Sequence, residues 1–214
     1  MKARKILVSL AALALVAAIS IGGTIAYLTS KDEVVNTFTV GNVAIKLDEA
    51  EANADGSLVA GAARVKANSY KLLPGHTYNK DPMVTVLSGS ETSYIKMTVT
   101  FSKANELDAI FAPTGAELTS IFNSYDAVNW TYKGNTKNTT DNTRTYEFWY
   151  KEAVGAPTAD VALDALFDSI TVPGTITNEQ LKTIEGMTIT VNAYAIQADG
   201  FATADAAWTA YNNG

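Results

Sequence analysis

The sequence predicts a mainly β fold, an antiparallel jelly-roll-like β-sandwich with short inserted helices, on three observations. Several segments alternate apolar and polar residues with a period of two, the pattern of a strand with one buried face. Thr, Val, Tyr and Phe are concentrated in those segments, as strands favour. Segments with helical spacing are short and fall between runs of strands, which argues against βαβ units and for a sandwich.

Taken in chain order, the elements begin with a leader. Lys2, Arg4 and Lys5 precede an apolar run from Ile6 to Ile21 that ends at Gly22-Gly23. This is the form of a secretory signal, and the run is shorter than the ~20 residues of a membrane span. Thr24-Ile25-Ala26 has the small-x-small pattern accepted by signal peptidases, so cleavage is predicted between Ala26 and Tyr27. Met1–Ala26 is then a cleaved signal peptide and Tyr27–Gly214 a single β-sandwich domain.

Within that domain the first strand is predicted over Thr37–Leu47. Asp48–Ala67, rich in Ala, Gly, Asn and Asp, reads as a mobile excursion. Met83–Leu87 is a strand, and the clearest alternation follows, with Ile95, Met97, Val99 and Phe101 set against Lys96, Thr98 and Thr100. Ala104–Phe111, ended by Pro113, and Ala116–Ser124 read as short amphipathic helices. Asn129–Lys133 and Arg144–Lys151 read as strands around a polar turn, Gly134–Thr143. The second strand is aromatic on both faces through Tyr146, Phe148, Trp149 and Tyr150, which suits cover on each side or a subunit contact.

Further along, Ala159–Ile170 places Val161, Leu163, Leu166, Phe167 and Ile170 at helical spacing before Pro173-Gly174. Asn178–Glu185 is predicted as a short helix capped by Asn178. Met187, Ile189, Val191, Ala193 and Ala195 alternate as a strand. Thr203–Tyr211 closes the chain as a helix capped by Thr203 that buries Ala207, Trp208 and Tyr211.

Composition narrows the function classes. The chain has 22 acidic and 16 basic residues, a formal charge of −6, one His and no Cys. Three of the basic residues lie in the leader, so the mature chain carries about −9, a poor match for nucleic acid or anionic lipid. Without Cys there is no disulfide, thiolate metal site or lipid-modified N-terminal Cys, and stability has to come from packing and backbone pairing.

Motifs for catalysis or cofactors are not found in the sequence. With His76 as the one histidine, zinc-protease motifs, Ser-His-Asp triads and two-His metal sites are excluded by count. His76 follows a Pro-Gly turn and reads as a solvated turn residue. No P-loop and no GxGxxG after a strand is present, so no nucleotide cofactor is predicted. Asp48, Glu49, Glu51 and Asp55 lack the spacing of an EF-hand calcium loop and read as a solvated acidic loop. Trp130, Tyr132, Tyr146, Phe148, Trp149 and Tyr150 read as core or contact residues, with a sugar-stacking platform as the alternative.

One stretch carries a resemblance. "GGTIAYLTSKDEVVNTFTVGNVAIKL", from Gly22 to Leu47, is similar to the signal and mature N-terminus of the TasA/camelysin family, Gram-positive secreted proteins processed by a SipW-type signal peptidase. "LLPGHTYNKDPMVTV" at Leu72–Val86, the strand "YIKMTVTF" and "AYAIQADGF" at Ala193–Phe201 resemble later parts of the family pattern. The likeness is dense over 22–47, 72–101 and 187–208 and weak between 104 and 180.

The family implies a jelly-roll-like sandwich and, in its best-known members, assembly into extracellular biofilm-matrix fibres. There the mature N-terminal segment of one subunit completes a sheet in the next. The residues agree with that role: Tyr27–Leu47 has strand chemistry and starts at an end freed by cleavage. Val34, Phe38 and Val40 are the expected anchors, with Gly41 permitting a bend before Val43.

The resemblance thus implies a secreted matrix subunit whose partner is a second copy of itself, joined by minor matrix or anchoring proteins, and the lack of catalytic motifs makes a non-enzyme the expectation. Nucleic acid is not expected as a partner, and the membrane only through the signal before cleavage. A monomeric surface adhesin or carbohydrate-binding module is the alternative. The metalloprotease activity associated with camelysin has no support in a chain with one His and no metal-ligand spacing.

Overall fold

The computed structural model describes residues 41–111 and 121–213. These form an antiparallel β-sandwich with short helices. Nine strands are described: β1 (Ile45–Asp48), β2 (Thr77–Asn79), β3 (Met83–Val86), β4 (Ser93–Ser102), β5 (Trp130–Asn138), β6 (Thr143–Tyr150), β7 (Val161–Ala162), β8 (Ser169–Thr171) and β9 (Ile189–Gln197). Among the described residues the helices are α1 (Ala104–Phe111), α2 (Asn178–Thr183) and α3 (Ala204–Asn213).

The main sheet runs β5-β6-β4-β9, and β1-β3-β7 and β2-β8 form two smaller sheets. Alternation on β4 decides the inside: Ile95, Met97, Val99 and Phe101 are fully buried. Tyr146 and Phe148 on β6 lie beside Val99 and Met97 in register, so their rings enter the same layer. Val84 and Val86 from β3, with Leu166, Phe167, Ile170 and Val172, belong to the same core. Phe122 sits at its centre, 4.6 Å from Phe167 and 5.2 Å from Tyr146 between ring centroids, in tilted and edge-on contacts that aromatic quadrupoles favour.

The outer face of the main sheet is covered at one end by α3. Thr203 starts this helix by accepting the Ala206 N–H on its hydroxyl, as predicted. Trp208 is fully buried, with its ring 6.3 Å from that of Trp149, while Tyr211 is 48% exposed. This cover explains why β6 is aromatic on both faces. Lys96, on the outer face of β4 and 4% exposed, has its ammonium 4.7 Å from the Trp208 ring, 5.0 Å from Tyr211 and 5.3 Å from Tyr194.

Several expectations are corrected. Ala159–Ile170 is not helical; it supplies β7 and β8. Leu163, Leu166, Phe167 and Ile170 are buried while Val161 is exposed, and Leu163 N–H donates to Val84 C=O and Leu166 N–H to Pro82 C=O, so tertiary pairing overrides the helical spacing. The polar turn predicted at Gly134–Thr143 is mostly strand: β5 continues to Asn138, with a bulge between Tyr132 and Gly134, where Gly134 has φ +127°. The cap of α2 is Thr177, not Asn178, in a reciprocal capping box with Gln180. The helix predicted at Ala116–Ser124 lies mostly outside the described residues.

Asp48–Ala67 is also better anchored than a free loop. Glu49 and Val65 exchange backbone hydrogen bonds, and Ala52 bridges Leu58. Gly56, at φ +89°, lies so close to β2 that a Cβ would come within 2.6 Å of the Thr77 carbonyl oxygen. Only glycine permits that approach, which lets Asn79 N–H donate to Gly56 C=O.

Candidate assembly site

A sheet gains a partner strand at an edge whose backbone groups are unpaired. Six edges can be compared among the described residues: β5 and β9 in the main sheet, β1 and β7 in the three-stranded sheet, and β2 and β8, each only three residues long, in the two-stranded sheet. β7 is two residues long. β1 is four and carries Lys46 and Asp48. β5 is long, but it is kinked by its bulge and carries Lys133 and Lys137, devices that discourage strand addition.

β9 has none of these features. Its nine residues, ITVNAYAIQ, contain no charge and no proline, and its pairing with β4 is regular from Ser93↔Gln197 to Phe101↔Ile189. The bracketing bonds fix which groups are free: Ser102 N–H donates to Thr188 C=O and Ala198 N–H to Thr92 C=O. Hydrogen-bonded positions alternate along an antiparallel pair, so the even-numbered residues of β9 face β4. Ile189, Val191, Ala193, Ala195 and Gln197 therefore point their N–H and C=O groups at the open edge. The side chains of Ile189, Val191, Ala193 and Ala195 lie against the core yet remain only half-buried. A strand added there would pair the backbone and cover those side chains.

The chain entering β1 is bonded into its own sandwich. Glu91 N–H donates to Asn42 C=O, Leu87 N–H to Ala44 C=O, and Ala44 N–H to the Ser90 hydroxyl. At the end of β1, Arg64 donates Nε to Asp48 and Nη1 to Asp81 at 2.8 Å, and Lys80 pairs with Glu49. Burial tends to raise the Asp48 pKa, but hydrogen bonds from Lys46 and Arg64 outweigh it and hold the carboxyl below the usual Asp range. Asp48 and Glu49 are 4% and 5% exposed, so these two are not the solvated loop carboxylates expected from sequence. Glu51 and Asp55 are exposed.

Of the residues singled out in the sequence, Ala26, Tyr27, Val34, Phe38 and Val40 lie outside the described residues. Val43 is half-buried, just before β1. The expected donor segment, Tyr27–Leu47, thus has its last part, from Asn42, held within its own chain. Trp130 is 1% exposed, and Trp149 has Lys133 over its ring at 4.0 Å while its indole N–H donates to Glu147. A flat aromatic platform open to solvent is not formed by these two. His76 is exposed in its turn. Among the described residues no group of three or more His, Asp or Glu side chains is placed to hold a metal, and no helix is long and apolar enough to cross a membrane.

Sequence reasoning missed this edge, unpaired among the described residues, because a single strand's pattern does not say which of its sides is paired. Its signal was present all the same in the uncharged run from Ile189 to Gln197. No family model, curated protein or solved structure matches the chain.

Proposed function

We propose that the protein is a secreted structural subunit of extracellular matrix fibres, in which the N-terminal segment of one copy adds as a strand to β9 of the next. The observation that carries this reading is the β9 edge: nine regular, uncharged residues with no strand paired to their outer side among the described residues, and half-buried apolar side chains beneath. The donor is Tyr27–Val40, the part of the strand-like N-terminus that precedes the internally bonded residues. In an added strand, Val34, Phe38 and Val40 share one face and would cover Val191, Ala193 and Ala195. The leader directs the chain out of the cell, and its cleavage frees the donor. In this reading the protein has no catalytic role.

Negative-stain electron microscopy tests it. Protein beginning at Tyr27 is expected to form fibres, and protein beginning at Gly41, which keeps β1 intact, is expected to stay monomeric. Ala193→Pro removes an N–H that faces the open edge and spares the β4 ladder, so it should fold and fail to polymerise. Fibres from the Gly41 protein would rule out donation by the N-terminus. Undiminished fibres from Ala193→Pro would rule out β9 as the acceptor.

A further inference from the structure

A cavity of about 930 Å³ opens between the segment Asn68–Leu72 and the stretch from α2 into β9. Its apolar lining consists of Tyr70, Leu72, Leu181, Ile184, Met187 and Ile189. All but Ile184 are only partly buried although they pack on the core, because their remaining surface faces this space. The Tyr70 hydroxyl is turned away, donating to Asn79 C=O, so the ring presents carbon to the cavity.

The charges around this apolar floor are one-sided. Lys71, Lys80 and Lys182 line the cavity against a single acidic lining residue, Glu185. Lys80 is committed to Glu49 behind the wall. Lys71 and Lys182 are exposed and have no ion-pair partner among the described residues. In a chain of net charge −6 this is a locally positive mouth over a hydrocarbon floor. The volume falls in the range of roughly 300–1,000 Å³ that small-molecule sites occupy.

We propose that this cavity is a binding site for an anionic amphipath, with an acyl body on the apolar floor and a carboxylate between Lys71 and Lys182. The apolar walls alone would accept any hydrocarbon. The two uncommitted ammonium groups select a negative head, since charge-assisted hydrogen bonds are stronger than neutral ones. The site meets the β9 edge only at its first residue, Ile189, and its head-binding lysines, Lys71 and Lys182, lie off that strand.

Calorimetric titration of the full chain with dodecanoate tests the proposal, with dodecyl maltoside as a neutral amphipath of equal chain length. One saturable dodecanoate site per chain is expected, bound at least about tenfold more tightly than the maltoside. The variant Lys71→Ser/Lys182→Ser changes only exposed side chains, so it should retain the fold, lose that preference and leave maltoside binding unchanged. Leu181→Trp, which fills the cavity, should abolish the site. Adsorption to the apolar leader is unaffected by these substitutions and is thereby separated from the cavity. Equal dodecanoate affinity in the lysine variant, or no saturable site in the unaltered chain, would overturn the assignment.

Discussion

Arg64 shows how a single residue can secure a long connection. Its guanidinium joins Asp48 at the end of β1 to Asp81 just before β3, and its Nη2 also donates to both backbone carbonyls. A planar group with five donors can do this; a lysine cannot. Asp108 makes a second such junction, accepting from Arg144 and Lys137, and these bonds outweigh burial to hold its carboxyl below the usual range. Asp48 and Asp108 therefore stabilise the fold fully at neutral pH. That contribution is lost as pH falls below their unfolded value, about 3.9, and through the lower folded-state values. The expected result is a Tm that is flat near neutrality and drops below about pH 4. Asp48→Asn should lower stability at pH 7 and flatten the acid limb in thermal melts followed by tryptophan fluorescence.

At the scale of elements, α3 is held by side-chain contacts more than by length. Ala207 and Trp208 are its buried residues, and the Trp208 indole N–H finds no hydrogen-bond partner among the described residues. Its attachment rests mainly on apolar contact and on the Lys96 ammonium beneath the rings, with an exposed ion pair from Lys133 to Asp205 beside them. Trp208→Ala is predicted to cost about 3–5 kcal/mol, the usual range for a buried Trp. Lys96→Leu should cost less than half as much, because the lost cation–π contact is offset by no longer burying a charge. Urea unfolding of the two variants checks the order. The same Trp208→Ala protein should acetylate Lys96 with an amine-reactive ester well before the parent does, read by mass spectrometry.

At the scale of the whole molecule, what the sequence made legible was what depends on one strand or helix alone. The alternation of Ile95, Met97, Val99 and Phe101 marked β4 and its buried face, Ala104–Phe111 marked α1, and Thr203 marked the start of α3. The misread segments depended on distant partners. Leu163, Leu166 and Phe167 had helical spacing, yet backbone bonds from Leu163 and Leu166 to residues about eighty positions earlier hold this stretch as a connection between β7 and β8. Asp48 and Glu49 looked like loop carboxylates because the cations that tie them to the rest of the fold, Arg64 and Lys80, are distant in sequence, and only Lys46 beside Asp48 is local. The candidate site divides the same way: the expectation for Val34, Phe38 and Val40 rests on local strand pattern and lies outside the described residues, whereas which side of β9 is unpaired among the described residues is not fixed by its local pattern.

The contrast, among the described residues, between a guarded β5 and an unpaired β9 edge also bears on the form of the proposed polymer. In the proposed fibre, one acceptor edge and one donor segment per subunit would make the contacts heterologous, so copies would add head to tail without branching. The two ends of such a polymer are unlike: one displays an unfilled β9, the other an unused donor. Protein beginning at Gly41 cannot donate, whereas Ala193→Pro protein cannot accept. Mixed into growing fibres at low ratio, each would become a stopper for the opposite end, and length would be set by stoichiometry.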